Sequence, residues 1–132
     1  MIAFDTNLLV RFLIEDDERQ LRAVRDTLED VAERGERVLV TDIVLSELEW
    51  VLDAVFAVPR KQILAAVQSL AGDERFCFED SSRLATALHR YQHGRGDLSD
   101  YLLGARAREV GAVSTFTFDR GLRRDDLFTV LG

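Results

Sequence analysis

The sequence predicts an α/β fold: a three-layer α/β/α sandwich on a mainly parallel sheet of about five short strands, in a single domain over residues 1–132. Three observations lead there. Short apolar runs of strand length alternate with longer stretches of helical period, and strands separated by helices need crossover connections, which make neighbouring strands parallel and cover both faces of the sheet. No repeat, low-complexity tract or Pro/Gly/Ser linker breaks the alternation, Pro59 being the only proline. Finally, 132 residues with 47% hydrophobic content suffice to bury one core without disulfide or metal staples.

In chain order, Ile2 to Phe4 reads as the first strand, followed by an apolar helical turn from Leu8 to Leu13 and an acidic break at Glu15 to Glu18. Arg19 to Glu33 is an amphipathic helix stopped at Gly35, and Val38 to Val40 the second strand. Asp42 to Ala54 forms a helix capped by Thr41 or Asp42. Arg60 to Leu70 is the next helix, with Ile63, Leu64, Val67 and Leu70 on one face, and Phe76 to Phe78 the third strand. Helices over Ser81 to His93 and Leu98 to Val110 end at Gly94 and Gly111, and Ala112 to Thr115 and Phe128 to Val130 supply the last two strands. The lone Cys77, between Phe76 and Phe78, has no partner for an internal disulfide and reads as core.

No apolar run of membrane-spanning length exists, and Met1 to Leu9 lacks the basic start and cleavage site of a secretory signal, so a cytoplasmic protein is expected. With 17 basic against 24 acidic residues the net charge is −7, at first sight unfavourable for a nucleic-acid partner. If five of those negative charges gather at a cation site, however, the rest of the molecule is close to neutral. Arg60, Arg106, Arg108, Arg123 and Arg124 are available for a phosphate track, although solvated helix faces and caps account for most arginines taken singly.

The acids that fall at the carboxyl ends of strands carry the chemistry, because open parallel sheets place their sites there. Asp5 directly follows the first strand, and its competing role is that of a helix N-cap. Glu47 flanks an apolar stripe of Val44, Leu48, Val51, Leu52 and Val55, where an ionised carboxylate needs a cation or a donor, while Glu49 reads as plain surface. Asp97 and Asp100 have the spacing of a capping box, but Asp100 shares a helix face with Leu103, Gly104 and Ala107 that would carry it inward. Asp100 is therefore expected to be a ligand, with Asp97 as cap, support or additional ligand. Asp119 closes the next strand and its loop, beside the hydroxyls of Ser114, Thr115 and Thr117, and its competing role is again that of an N-cap, for Gly121 and Leu122. Two carboxylates about 4 Å apart repel by about 4 kcal/mol at an effective dielectric of 20, so such a group calls for cations or protons. Oxygen donors without His or Cys suit Mg²⁺ or Mn²⁺, which activate water and clamp phosphodiester oxygens.

Asp5-Thr6-Asn7, Val44-Leu45-Ser46-Glu47-Leu48, Leu98-Ser99-Asp100-Tyr101-Leu102-Leu103-Gly104-Ala105 and Thr117-Phe118-Asp119 together resemble the four acidic motifs of PIN-domain proteins, in order and spacing over the whole chain. A domain of this size is similar above all to VapC-type toxins of type II toxin–antitoxin pairs. That resemblance implies a PIN-like fold and a Mg²⁺- or Mn²⁺-dependent endoribonuclease acting on RNA. It also implies a homodimer and inhibition by a VapB-type antitoxin protein whose tail blocks the acidic pocket. It assigns metal-binding and catalytic roles to Asp5, Glu47, Asp100 and Asp119, a further acidic position to Asp97, and polar support to Thr6, Asn7 and Thr117.

Among other residues, His89 and His93 share a helix face at the i, i+4 spacing but find no third nitrogen or sulfur ligand. Phe12 reads as core, and Trp50, off the main stripe of its helix, as a surface for a partner. Two other classes remain open. Receiver-like signalling modules and haloacid-dehalogenase phosphatases also gather acids at a sheet edge, but they resemble families that need a lysine near the phosphate. The only lysine here, Lys61, lies on a helix away from every acidic motif. The other class is a catalytically inactive PIN-like domain that binds RNA.

Overall fold

The computed structural model describes all residues, 1–132. The chain divides into two compact units, Met1–Ser81 and Ser82–Gly132.

The first unit holds β1 (Ile2–Ala3), α1 (Thr6–Ile14), α2 (Glu18–Glu33), β2 (Val38–Val40), α3 (Asp42–Ala54), α4 (Arg60–Ala71) and β3 (Phe76–Phe78). The strands lie in the order β1-β2-β3, all parallel, with Ile2 opposite Val38 and Val38 opposite Phe76. Each pair is joined by a two-helix crossover, as parallel pairing requires. Helix α1 packs on α2 and α3, and α4 packs on α3 and β3. The α2 face of Leu21, Val24, Leu28 and Val31 is buried, as are Val38 and Val40 of β2 and Ile63, Val67 and Leu70 of α4. Asp17 and Thr41 cap α2 and α3 by accepting from the Gln20 and Val44 amides.

The second unit holds α5, which starts at the boundary (Ser81–His93), α6 (Leu98–Val110), β4 (Thr115–Thr117), a single 3₁₀ turn (Arg120–Leu122) and β5 (Phe128–Val130). β4 and β5 are parallel, with Thr115 opposite Phe128 and Thr117 opposite Val130. Helix α6 approaches β4. Its close packing on Phe128 of β5 depends on Gly104, where a Cβ would stand 2.8 Å from Phe128 Cζ. Tyr101, almost fully buried, meets the Phe128 ring edge-on.

Most predicted elements stand at or within a residue or two of their expected bounds, and all strand pairs are parallel. The α/β class is therefore as the alternation of runs predicts. Three local readings are corrected. The fourth strand is Thr115–Thr117 rather than Ala112 to Thr115. Gly111 adopts φ 118°, and its amide and that of Ala112 return to the Arg108 and Ala107 carbonyls, so the helix end consumes these residues and Val113 is left 90% exposed. The buried stripe of α3 is Leu45, Leu48, Glu49 and Leu52, one position round from the expected one. In consequence Glu49, expected at the surface, is 6% exposed, whereas Glu47 is exposed. Phe12 is half-buried, with its ring against Phe76 and under the Arg75 guanidinium, and Trp50 is 64% exposed. No helix is long and apolar enough to cross a membrane.

Candidate active site

In the first unit, β1 and β2 are adjacent and parallel, so the segments leaving their carboxyl ends start from neighbouring points. The segment after β1 is Phe4-Asp5-Thr6. The Phe4 amide still donates to the Leu39 carbonyl, and the backbone then turns at Asp5 into α1. Asp5 is the N-cap: its Oδ1 accepts from the Leu8 amide at 3.2 Å. Thr6 is buried, and its hydroxyl donates to Glu47 Oε2 at 3.0 Å across 41 residues of sequence. Glu47 lies in the second turn of α3, whose cap Thr41 directly follows β2. The side chain is exposed, so the desolvation expected from its position beside the apolar stripe is absent. What holds it in place is the hydrogen bond from a buried threonine.

Glu79, which sequence reasoning missed, follows β3 and accepts from the Asp42 amide at 2.8 Å. A carboxylate against the open N–H groups of the first turn of α3 interacts favourably with the helix dipole and anchors the helix that carries Glu47. Its position one residue past a strand was the available signal, the same one that marks Asp5.

In the second unit, Asp97 and Asp100 form a capping box on α6, with Asp100 Oδ2 accepting from the Asp97 amide at 2.9 Å. Asp119 follows β4 and caps the 3₁₀ turn, its Oδ1 accepting from the Gly121 amide at 2.8 Å, while its own amide donates to Thr117 Oγ1 at 3.0 Å. Asp97 and Asp119 are exposed and Asp100 is half-buried. Burial pushes the Asp100 carboxyl above the usual aspartate range; the Asp97 amide opposes this, and the negative charges of Asp97 and Asp119 add to it. Three acids of the second unit therefore share one electrostatic neighbourhood. The buried Tyr101 braces the loop before α6: its hydroxyl accepts from the Gly96 amide at 2.9 Å and leaves no room for a Cβ at Gly94, and together with Leu122 it leaves none at Gly96.

The sequence-predicted acids thus form two groups, Asp5 and Glu47 in one unit and Asp97, Asp100 and Asp119 in the other. Asn7, expected as polar support, is exposed on the first turn of α1. None of the five acids forms a salt bridge, whereas Asp16, Asp73, Asp125, Asp126 and Glu109 all do. Each of Asp5, Glu47, Asp100 and Asp119 spends one carboxylate oxygen on a hydrogen bond, local in all but Glu47, and keeps the other for a further ligand. In neither unit do three His, Cys, Asp or Glu side chains converge into a ready-made metal cage. Mg²⁺ commonly keeps several waters and takes one or two carboxylates plus substrate phosphate. Hard oxygen donors carrying uncompensated charge therefore fit a hard divalent cation.

The PIN-domain family matches residues 2–126 of the chain, across both units. The chain belongs to the PIN-domain family. It is 25% identical over 130 residues to a protein of Aquifex aeolicus (strain VF5) described as VapC ribonuclease, an alignment that covers 98% of this chain and 96% of that one.

Proposed function

We propose that the chain is a Mg²⁺- or Mn²⁺-dependent endoribonuclease that hydrolyses RNA phosphodiester bonds, and that it is the toxin of a VapBC-type pair. The single observation that carries this is the set of acids left without cationic partners, Asp5 and Asp119 just past strands, Glu47 on α3, and Asp97 and Asp100 at the start of α6, with Asp100 raised in pKa by burial and then by its acidic neighbours. The likeness to a protein described as a ribonuclease supports the choice of RNA.

A bound divalent cation supplies positive charge to the phosphodiester oxygens and lowers the pKa of water to a range where attack is feasible at neutral pH. Asp5, Glu47, Asp100 and Asp119 would hold it, with Asp97 alongside. Glu47, steadied by Thr6 and with Oε1 free, is the group suited to orient the attacking water and accept its proton. Thr117 fixes the backbone amide of Asp119, so that carboxylate is presented from the strand end with little freedom. Charge accumulated by these acids repels a phosphodiester in the absence of cations, so cleavage is silent without metal. The toxin assignment adds a homodimer in the cytoplasm and a VapB-type antitoxin whose tail covers the acids. The exposed Trp50 on α3 is a surface such a partner would use.

Purified protein incubated with total RNA in Mn²⁺, Mg²⁺ or EDTA, beside the Glu47→Gln variant, tests the proposal. Internal cleavage is expected in either cation, none in EDTA, and a loss of roughly 100-fold or more in the variant. Undiminished cleavage in EDTA or by Glu47→Gln would falsify it, and transfer of phosphate from acetyl phosphate to Asp5 would favour a signalling module instead.

A further inference from the structure

A cavity within the second unit, about 730 Å³, is walled by five arginines, Arg90, Arg95, Arg120, Arg123 and Arg124. In a chain of net charge −7 this is a local reversal of sign. Its one acidic wall residue, Asp125, is already engaged by Arg90 at 2.7 Å. Arg95, Arg120, Arg123 and Arg124 are exposed and paired with no carboxylate, in contrast to Arg83 and Arg108, which are neutralised by Glu109 and Asp126. Compensation of the carboxyl end of α5 accounts for Arg90 and His93 alone; the other arginines come from the loop before α6 and from the 3₁₀ turn and the residues after it. Arg90 Nε is, in addition, a buried donor with no hydrogen-bond partner, so this wall retains a capacity for an acceptor oxygen.

The cavity wall includes residues bonded to, or next in sequence to, the acids of the same unit. Gly121 lines it and donates to Asp119, Arg120 follows Asp119 directly, and Tyr101 lines it beside Asp100. A polyanion whose reacting phosphate lay at those acids would thus have its neighbouring phosphates beside the arginines. Guanidinium groups are matched to phosphate by their planar, forked donors.

We infer that this arginine-walled cavity is a subsite for the RNA backbone, binding phosphates that flank the cleaved bond; the inference rests on the ribonuclease proposal for its choice of polyanion. Arg123 and Arg124 supply half of the exposed charge, and Arg120, next to Asp119 in sequence, and Arg95 supply the rest.

The test is fluorescence anisotropy of an uncleavable 2′-O-methyl RNA strand in EDTA at several salt concentrations, with wild type, Arg123→Gln/Arg124→Gln and, as control, Arg19→Gln/Arg22→Gln on α2. Removing two phosphate contacts is expected to flatten the slope of log K against log salt by about 1.4, at about 0.7 per contact for a single strand. It should also weaken binding about tenfold at low salt, with the control unchanged. An unaltered slope, an equal change in the control, or tighter binding of polyglutamate than of RNA of the same charge would overturn the inference. Because the measurement needs no cleavage, its failure is separable from failure of the nuclease proposal: wild type that binds but does not cut sinks only the latter.

Discussion

The hydrogen bond from Thr6 to Glu47 links two of the acidic motifs across 41 residues of sequence, and its strength can be worked out. A hydrogen bond to a charged group contributes about 1.5–3 kcal/mol net. Glu47 is exposed and screened by solvent, which places this bond below that range, at about 1 kcal/mol. Thr6→Val preserves the shape of a buried side chain and frees Glu47 to be hydrated, so it should cost about 1 kcal/mol, or about 3–5 °C in a chain of 132 residues. Glu47→Ala should cost a similar amount, because the Thr6 hydroxyl, in a residue only 8% exposed, is then left without its acceptor. The double variant should cost no more than either single one, giving a coupling of about 1 kcal/mol. Urea unfolding of the four proteins in EDTA reads the bond apart from any cation. Additive costs, with a coupling below about 0.3 kcal/mol, would refute the reasoning. With Mn²⁺ present, the loosened Glu47 of Thr6→Val should lower apparent metal affinity about tenfold, as other losses of a supporting hydrogen bond do.

Other perturbations follow from the second unit. Asp100 has a raised pKa, so the folded state holds its proton more tightly than the unfolded chain, and this contribution to stability, full at acid pH, is lost as pH rises through the folded value. Asp100→Asn keeps an acceptor for the Asp97 amide and removes the buried charge; it should raise the thermal midpoint at pH 7 in EDTA while abolishing cleavage, and a lowered midpoint would contradict the like-charge account. Asp126 is held down to about 2 by hydrogen bonds from Arg90 and then Arg108, so its contribution is present above the ordinary aspartate value and is lost as pH falls from about 4 toward 2. Acid titration of Asp126→Asn should therefore show a flatter loss of stability across that window. Gly104→Ala gains about 1 kcal/mol of helix propensity but forces its methyl to within 2.8 Å of Phe128 Cζ and 3.2 Å of Leu127 Cβ, an overpacking of about 1–3 kcal/mol. A net loss of about 1 kcal/mol in chemical denaturation is expected.

The legible parts of the fold were those where one physical signal acts alone. Alternation of strand-length and helix-length segments, with glycines at helix ends, located every helix, because crossover topology and helix termination are written locally. The α3 stripe was misread because Val44, Leu45, Leu48, Val51, Leu52 and Val55 form an apolar arc of about a third of the helix circumference, with Glu47 beyond one edge and Glu49 equally far beyond the other. Which side faces inward is then decided by what packs against it, α1 and α4, and not by the helix itself. The same ambiguity exchanged the surroundings of Glu47 and Glu49. The start of β4 was lost for a different reason: Ala112, Val113 and Ser114 have strand composition, but the hydrogen bonds that close α6 take the first of them, and pairing with β5 begins only at Thr115. At the site, the strand-end rule found Asp5 and Asp119 and would have found Glu79 had it been applied to β3. The arginine cavity was half visible: Arg123 and Arg124 were candidates, but Arg95 and Arg120 join them only through the turns on either side of α6 and β4.

For Asp5, Asp100 and Asp119 the sequence offers two readings as rivals, helix cap and cation ligand, and the structure shows why they need not compete. A carboxylate has two oxygens. In all three residues the cap occupies one of them, Oδ1 of Asp5, Oδ2 of Asp100 and Oδ1 of Asp119, and so fixes the side-chain torsions before any ligand arrives. A flexible acid would lose that freedom on binding a cation, whereas a capped one has already lost it on folding. On this account removal of the cap acceptor weakens metal binding even where the charge is kept. A mutation to Glu at Asp119, which retains the carboxylate but lengthens it past the Gly121 amide, should therefore impair Mn²⁺ binding about as much as Asp119→Asn. Isothermal titration that found Asp119→Glu equal to wild type would show that the cap contributes nothing to the ligand.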